Sequence, residues 1–389
     1  MRTHRIVTAL VLSTALACGG GDGDEGQSET ETEEPELDEW DQRLADREVN
    51  YPAALRTAAL RLTGDLPSLA DTKTIGLAPA AEQKDIYESL IRGYLDDPRF
   101  SVQMIRFWRD AFKMGGSAML NAAPNFAAQL TVEGRPYTEL FTAASGACPT
   151  YTAEGGFVAA DCGGGAPVPA GVLTNPGAMA HFASPMAFRR VRWVQETFAC
   201  TAFPTEGKSA AEIEEDGAAD DGLAAYTSPW PIESISGALN GGSVDFHDRE
   251  SVACANCHST MNHLAPLFGN YDEDGNYQAG IQVVTPTDGN PVTLRTDWLP
   301  DGEETAWRLG MPAADPGALG AAMASDVAVS ECAVARTWNW ALGRGDIVEA
   351  LALVPADVIE AQLNGFVQSN YNLKELIFTV FTAEDFISY

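Results

Sequence analysis

Between Ser251 and Tyr277 the chain reads SVACANCHSTMNHLAPLFGNYDEDGNY, with Cys254, Cys257 and His258 inside it. Two thiols at this spacing, with an imidazole directly after the second, are how a porphyrin is fixed covalently to a protein. The thiols add across the porphyrin's vinyl groups, and the histidine can hold the iron from the same helical turn. The motif therefore points to one covalent haem c, with His258 as proximal ligand. The sixth position decides the work: Met or a second His in an electron carrier, an open site in a catalyst. Met311, in RLGMPAAD, is the first choice, because a Met-Pro step in a loop can present a thioether. Met261 and His263 stand too close to His258 to reach the other face of a ring. Met323 and His247 are remote alternatives, and His181 reads as a polar helix residue.

Other chemistry for the motif is weaker. A redox disulfide between Cys254 and Cys257 would normally open a helix behind a β-strand, and no βαβ pattern leads into this stretch. Zinc would need further ligands at metal spacing, and there is no second CxxC. Asp272-Glu273-Asp274-Gly275-Asn276 lacks the longer ligand series of an EF-hand and reads as a surface turn. No GxSxG motif, phosphate loop or dinucleotide fingerprint is present. Electron transfer leads over enzyme chemistry. A haem-containing oxidoreductase subunit is the second reading. A non-redox lipoprotein scaffold with a Cys254–Cys257 disulfide is the third.

The elements that would position this motif are mainly helical, with long loops and a small irregular β segment. Ala54, Leu55, Ala58, Ala59 and Leu62 recur at helical spacing before Gly64. Ile86, Leu90, Ile91, Tyr94 and Leu95 make a second stripe that Asp97-Pro98 ends. Val102, Ile105, Trp108 and Phe112 make a third, ending at Gly115-Gly116, so the two predict an antiparallel helical hairpin. Further on, Ser184 and Pro185 read as the N-cap and first residue of a helix burying Val191, Val194 and Phe198. Residues 281–302 read as a short hairpin or irregular β. Stripes through Val334, Trp338 and Leu342, through Val358 to Phe366, and through Leu373 to Val380 predict three closing helices.

The N-terminus reads as an export signal. Arg2, His4 and Arg5 precede a short apolar run, Ile6 to Leu12, and Ala15-Leu16-Ala17-Cys18 is similar to a bacterial lipobox. Cys18 would carry the lipid, and Gly19 behind it suggests outer-membrane sorting. This predicts a signal peptide over 1–17 and a disordered acidic tether over 18–47. A helical domain over 48–235, a haem-binding segment over 236–312 and a C-terminal helical domain over 313–389 follow. The protein would be periplasmic or on the cell surface, touching the membrane only through its lipid.

Export places the remaining cysteines in an oxidising compartment. Cys148 and Cys162 flank one Gly-rich loop and read as a local disulfide. With Cys254 and Cys257 claimed by the haem motif, Cys200 and Cys332 are left to bridge distant helices, one pairing among those six cysteines allow. The 55 acidic residues against 24 basic ones give a formal charge of −31. That charge excludes nucleic acid and anionic membrane surfaces as partners. It leaves an unidentified redox partner protein.

CANCHSTMNHLAPLFGNYDEDGNY resembles the haem-motif segment of planctomycete-type cytochrome c proteins, large exported proteins of planctomycetes, myxobacteria and relatives. In them CxxCH is followed by a segment ending in a Gly, an aromatic and an Asp, as in Gly269, Tyr271 and Asp272 here. LRLTGDLPS and YLDDPRFSVQMIRFWRDAF are similar to that family's N-terminal module. GVLTNPGAMAHFASPMAFRRVRWVQETFAC resembles the stretch before its haem motif, and CAVARTWNWALGRG and NLKELIFTVFTAEDF resemble its C-terminal module. Met261-Asn262-His263 stands where the family usually carries an Ile-Asp-Pro type sequence. The resemblance covers most of residues 50–389 and implies a haem c and export, without supplying a substrate.

Overall fold

Capping side chains and apolar stripes set most element boundaries. The computed structural model describes residues 39–184, 186–201, 252–280, 283–284, 291–292, 302–345 and 354–389; in the stretch that begins at 252, side chains are described from 259 onward. The expected signal peptide, Cys18, Pro185 and His247 lie outside the described residues.

Helix α1 (Glu39–Ala45) lies within the expected tether, whose residues 18–38 are outside the described residues. Arg43 meets Glu39 one turn earlier at 2.6 Å, the helical order of charges that supports a short exposed helix. It belongs to a unit that ends at Arg47, and Glu48–Tyr389 forms a second compact unit.

In that second unit Asn50 caps α2 (Tyr51–Leu62), accepting from Ala53 N at 3.0 Å. Ser68 caps α3 (Leu69–Leu77), and α4 (Ala80–Leu95) packs on α2. Asp97 caps α5 (Pro98–Phe112), which ends at Lys113 in the left-handed region, φ 54°. The expected α4–α5 hairpin is not the pairing that forms. The broad face of α5 (Phe100, Met104, Ile105, Trp108, Phe112) packs instead on α6 (Ala118–Glu133). Buried Ala123, Ala127 and Ala128 on α6 let the two backbones approach.

A short α7 (Glu139–Thr142) leads into the loop closed by Cys148–Cys162, which holds the antiparallel pair β1 (Thr150–Tyr151) and β2 (Phe157–Val158). Asn175 caps α8 (Pro176–His181). Helix α9 (Phe188–Phe198) opens later than Ser184-Pro185 suggests, after Ala187 in the left-handed region, while Ser184 Oγ accepts from Arg189 N at 3.2 Å. The motif-bearing helix is α10 (Val252–Phe268). The expected hairpin in 281–302 is present as β3 (Val283–Val284) paired with β4 (Pro291–Val292). A further antiparallel pair, β5 (Ala306–Trp307) and β6 (Met311–Pro312), sets Trp307 opposite Met311.

The chain closes with α11 (Pro316–Ser325), α12 (Val327–Leu342), α13 (Ala356–Gln368), α14 (Leu373–Phe381) and α15 (Glu384–Ile387). Asp326 separates α11 from α12 and caps the latter, and Gly343 at φ 70° ends it. Residues from all three expected segments, 48–235, 236–312 and 313–389, share one hydrophobic core. The class is mainly α, with strands confined, among the described residues, to three two-stranded pairs. No single described helix is long and apolar enough to cross a membrane.

Candidate functional site

The motif residues occupy the first turns of α10, which packs on α9 and on β5. At about 3.6 residues per turn, positions three and four apart share a helix face. Cys254, Cys257 and His258 therefore lie on one face of α10, with Met261 one turn further along it. Their own side chains, before residue 259, are outside the described part. His263 falls half a turn away from Cys254, on the opposite face.

Ser259 and His263 turn away from the motif face, Asn262, four residues after His258, lies beside it, and all three are almost wholly enclosed. His263 Nδ1 donates to the Ser259 carbonyl, and Nε2 meets Glu303 Oε2 at 2.6 Å. A carbonyl oxygen only accepts, so Nδ1 carries the hydrogen in its contact with Ser259. His263 is thus committed to the protein fabric.

Glu303 opens the strand pair that carries Met311. Behind it Thr305 closes the hairpin: its carbonyl accepts from Ala313 N at 2.9 Å, and its hydroxyl donates to Ala313 O at 2.7 Å. Trp307 is fully buried, and its Nε1 donates to Asp326 Oδ2 at 2.8 Å. Asp326 Oδ1 meanwhile accepts from Ala328 N at 3.0 Å, capping α12. Met311 is half-buried against the core. The hairpin is thus tied to α10 through Glu303 and to α12 through Trp307.

The other end of α10 is held by Arg190 on α9, which is 2% exposed. Its Nε donates to Met179 O, Nη1 to Phe268 O and Tyr271 O, and Nη2 to Asp272 O, each at 2.9 Å. A guanidinium on the last carbonyls of a helix also meets the negative end of its dipole. Burial pushes Arg190 down to about 10, so it keeps its charge at neutral pH.

Asp272 folds the turn behind α10. Its Oδ1 accepts from Asp274 N and Asn276 N at 3.0 and 2.8 Å, and Oδ2 from Gln278 Nε2 at 2.9 Å. These bonds hold its carboxyl below the usual carboxylate range. Gly275, at φ 78°, lies so close to α8 that a Cβ would stand 2.0 Å from Pro176 O. The acidic run is therefore a structural turn.

The structure joins Cys148 to Cys162 and Cys200 to Cys332, with Cα separations of 5.2 and 5.4 Å. The second bond links the end of α9 to α12. Cys254 and Cys257 stand outside both. Among the remaining candidate ligands, Met323 is fully buried in α11, and His181 contacts Lys113 O at 3.0 Å through Nε2. Among the described residues no three His, Cys, Asp or Glu side chains are grouped to hold a metal ion. By residue type the motif suits a haem c, with two cysteines outside the two described disulfides and a histidine directly after the second, while the hairpin of Met311 is tied to the opposite face of the same helix.

Two parts of this frame carry no motif. Arg190 is a charged residue one turn before Val194 on the apolar face of α9, a sequence signal that a buried cation has work to do. Glu303, in an acidic loop, has no such signal. Compared with known families, curated proteins and solved structures, the chain matches none.

Proposed function

We propose that the protein is an exported, lipid-anchored c-type cytochrome-like electron carrier with one covalent haem. The observation that carries the reading is the placing of Cys254, Cys257 and His258 on one face of α10, while the other cysteines after Cys18 are paired as disulfides. In this reading Cys254 and Cys257 bind the porphyrin, His258 is the proximal ligand and Met311 the distal one. When bound, a haem c supplies an iron that exchanges one electron with a partner protein. Arg190 fastens the end of α10, and Glu303 ties the hairpin region to the same helix through His263. Cys18 carries the lipid in the outer membrane, and the acidic tether holds the folded unit away from it. The likeness to planctomycete-type cytochrome c proteins supports the same reading.

The test is the intact mass and visible spectrum of the chain, exported from a host with haem c maturation machinery. A mass raised by one haem with a sharp reduced α-band is the expected result. A mass changed only by disulfide hydrogens overturns it. A five-coordinate iron that binds carbon monoxide at once moves the protein to the oxidoreductase reading.

A further inference from the structure

We infer that a cavity on one face of α9 binds a small aromatic carboxylate, held by Arg189 and Arg192. Among the described residues none from α10 or from the Met311 hairpin lines this cavity, so it stands apart from the cytochrome reading. The spacing along α9 creates the face. Arg189, Arg192, Trp193, Glu196 and Thr197 recur three and four residues apart and so lie together. Val191, Val194 and Phe198 fall on the opposite side and are buried in the core. The first face borders a cavity of about 240 Å³, completed by Lys113 at the end of α5, Phe182 at the end of α8 and Arg336 on α12.

Among its described lining residues the cavity gathers four basic side chains and one carboxylate, in a chain whose 55 acidic residues outnumber 24 basic ones. At physiological salt an exposed charge is felt over about 8 Å. The local groups, and not the chain's net charge, therefore set the potential in the cavity. Glu196 Oε1 accepts from Arg192 Nε at 2.6 Å, which leaves the terminal nitrogens of Arg192 with no acceptor among the described residues. Arg189 meets no carboxylate among them either: its Nη1 reaches the Ala183 carbonyl, at 3.4 Å. Arg336 is buried and fixed in place, donating to Thr197 O and Glu196 O. A planar guanidinium with open N–H groups takes a carboxylate through two parallel bonds. Phe182 and Trp193 stack 5.1 Å apart and 15° from parallel, and with Ala111 they give the cavity an apolar side. Cations beside a flat apolar side fit a carboxylate on a ring better than they fit bare phosphate. The cavity is smaller than pockets that enclose drug-sized ligands, which limits the ligand to a single ring.

The experiment titrates the full chain calorimetrically with benzoate, and with benzamide as its neutral counterpart. Benzoate should bind at a single site, and benzamide about tenfold more weakly or worse, because it brings no charge to the guanidinium groups. Arg189→Gln, at an exposed position, should weaken benzoate about tenfold. Glu196→Gln removes the carboxylate from the lining and should tighten benzoate about threefold, a gain that a damaged fold would not give. Lys73→Gln, on α3 and outside the lining, should leave binding unchanged. No saturable benzoate binding by the wild type overturns the inference, as does equal affinity in wild type, Arg189→Gln and Glu196→Gln. Lys73→Gln binding as weakly as Arg189→Gln also overturns it, since attraction by total charge would then suffice.

Discussion

Arg190 donates to the carbonyl of Phe268, the last residue of the motif-bearing helix, at 2.9 Å. One side chain thereby fastens α8, α9 and the end of α10, because the same guanidinium also reaches Met179, Tyr271 and Asp272. Its acceptors among these groups are all backbone carbonyls. Replacing it with Met leaves enclosed carbonyls without a donor, each a costly loss. Arg190→Met should lower unfolding stability by about 3 kcal/mol or more, since several carbonyls lose their donor at once, measured as a fall in urea midpoint at constant slope. Arg190→Lys keeps the charge but lacks the planar fork, and should lose less. A methionine variant as stable as wild type would show that the cation is incidental.

The helical architecture was legible because its stripes are broad and its caps conventional. Asn50, Ser68 and Asp97 each precede a helix they cap, and Gly343 ends one. The pairing of helices was not legible. Sequence adjacency allows α5 to pair with α4 or with α6, and the packing forms with α6, where Trp108 Nε1 also donates to Thr131 Oγ1. The start of α9 was misplaced because a Ser-Pro step normally opens a helix, and here Ala187 takes a left-handed turn first. In the site, CxxCH is readable from spacing alone. The grip of Glu303 on His263 is not, since forty residues separate them and neither belongs to a motif.

The two disulfides differ in what they close. Cys148–Cys162 spans a sequence separation of 14, Cys200–Cys332 one of 132. By loop-closure entropy the shorter contributes about 3 kcal/mol and the longer about 5 kcal/mol, with native-state effects able to reduce either. Cys200→Ala/Cys332→Ala should therefore lower the denaturation midpoint more than Cys148→Ala/Cys162→Ala does. Calorimetry of both double variants under oxidising conditions checks the order. The reverse order would show that the short staple stabilises chiefly by packing its own loop.

Trp307 and Asp326 form the second anchor of the Met311 hairpin. Trp307→Phe removes the Nε1 donor and one ring of a fully buried indole, leaving a carboxylate oxygen that is enclosed with Arg308 at 3.9 Å. The expected cost is about 1–3 kcal/mol. Asp326→Ala should cost more, because it also removes the cap on α12 at Ala328 N. A double-mutant cycle on the pair should return a coupling of about 1–2 kcal/mol. A coupling near zero would mean that the indole bond adds nothing beyond burial.

Acid should loosen the contact between α4 and α14. Glu375 accepts from both terminal nitrogens of Arg92 at 2.6 and 2.7 Å, and Arg92 also sits 3.5 Å above the Phe378 ring. The Arg92 hydrogen bonds hold the Glu375 carboxyl below its ordinary value. A carboxylate whose folded value is lowered stabilises the fold fully above its unfolded value, about 4.3. That contribution is lost as pH falls through the folded value. Both side chains are about two-fifths exposed, so solvent screening keeps the term to about 1 kcal/mol. Urea midpoints of wild type and Glu375→Gln should therefore differ at pH 7 and converge as the pH drops below about 4. Raising salt should shrink the difference at pH 7. A gap that persists at low pH would assign the effect of the substitution to packing around Phe378 and not to charge.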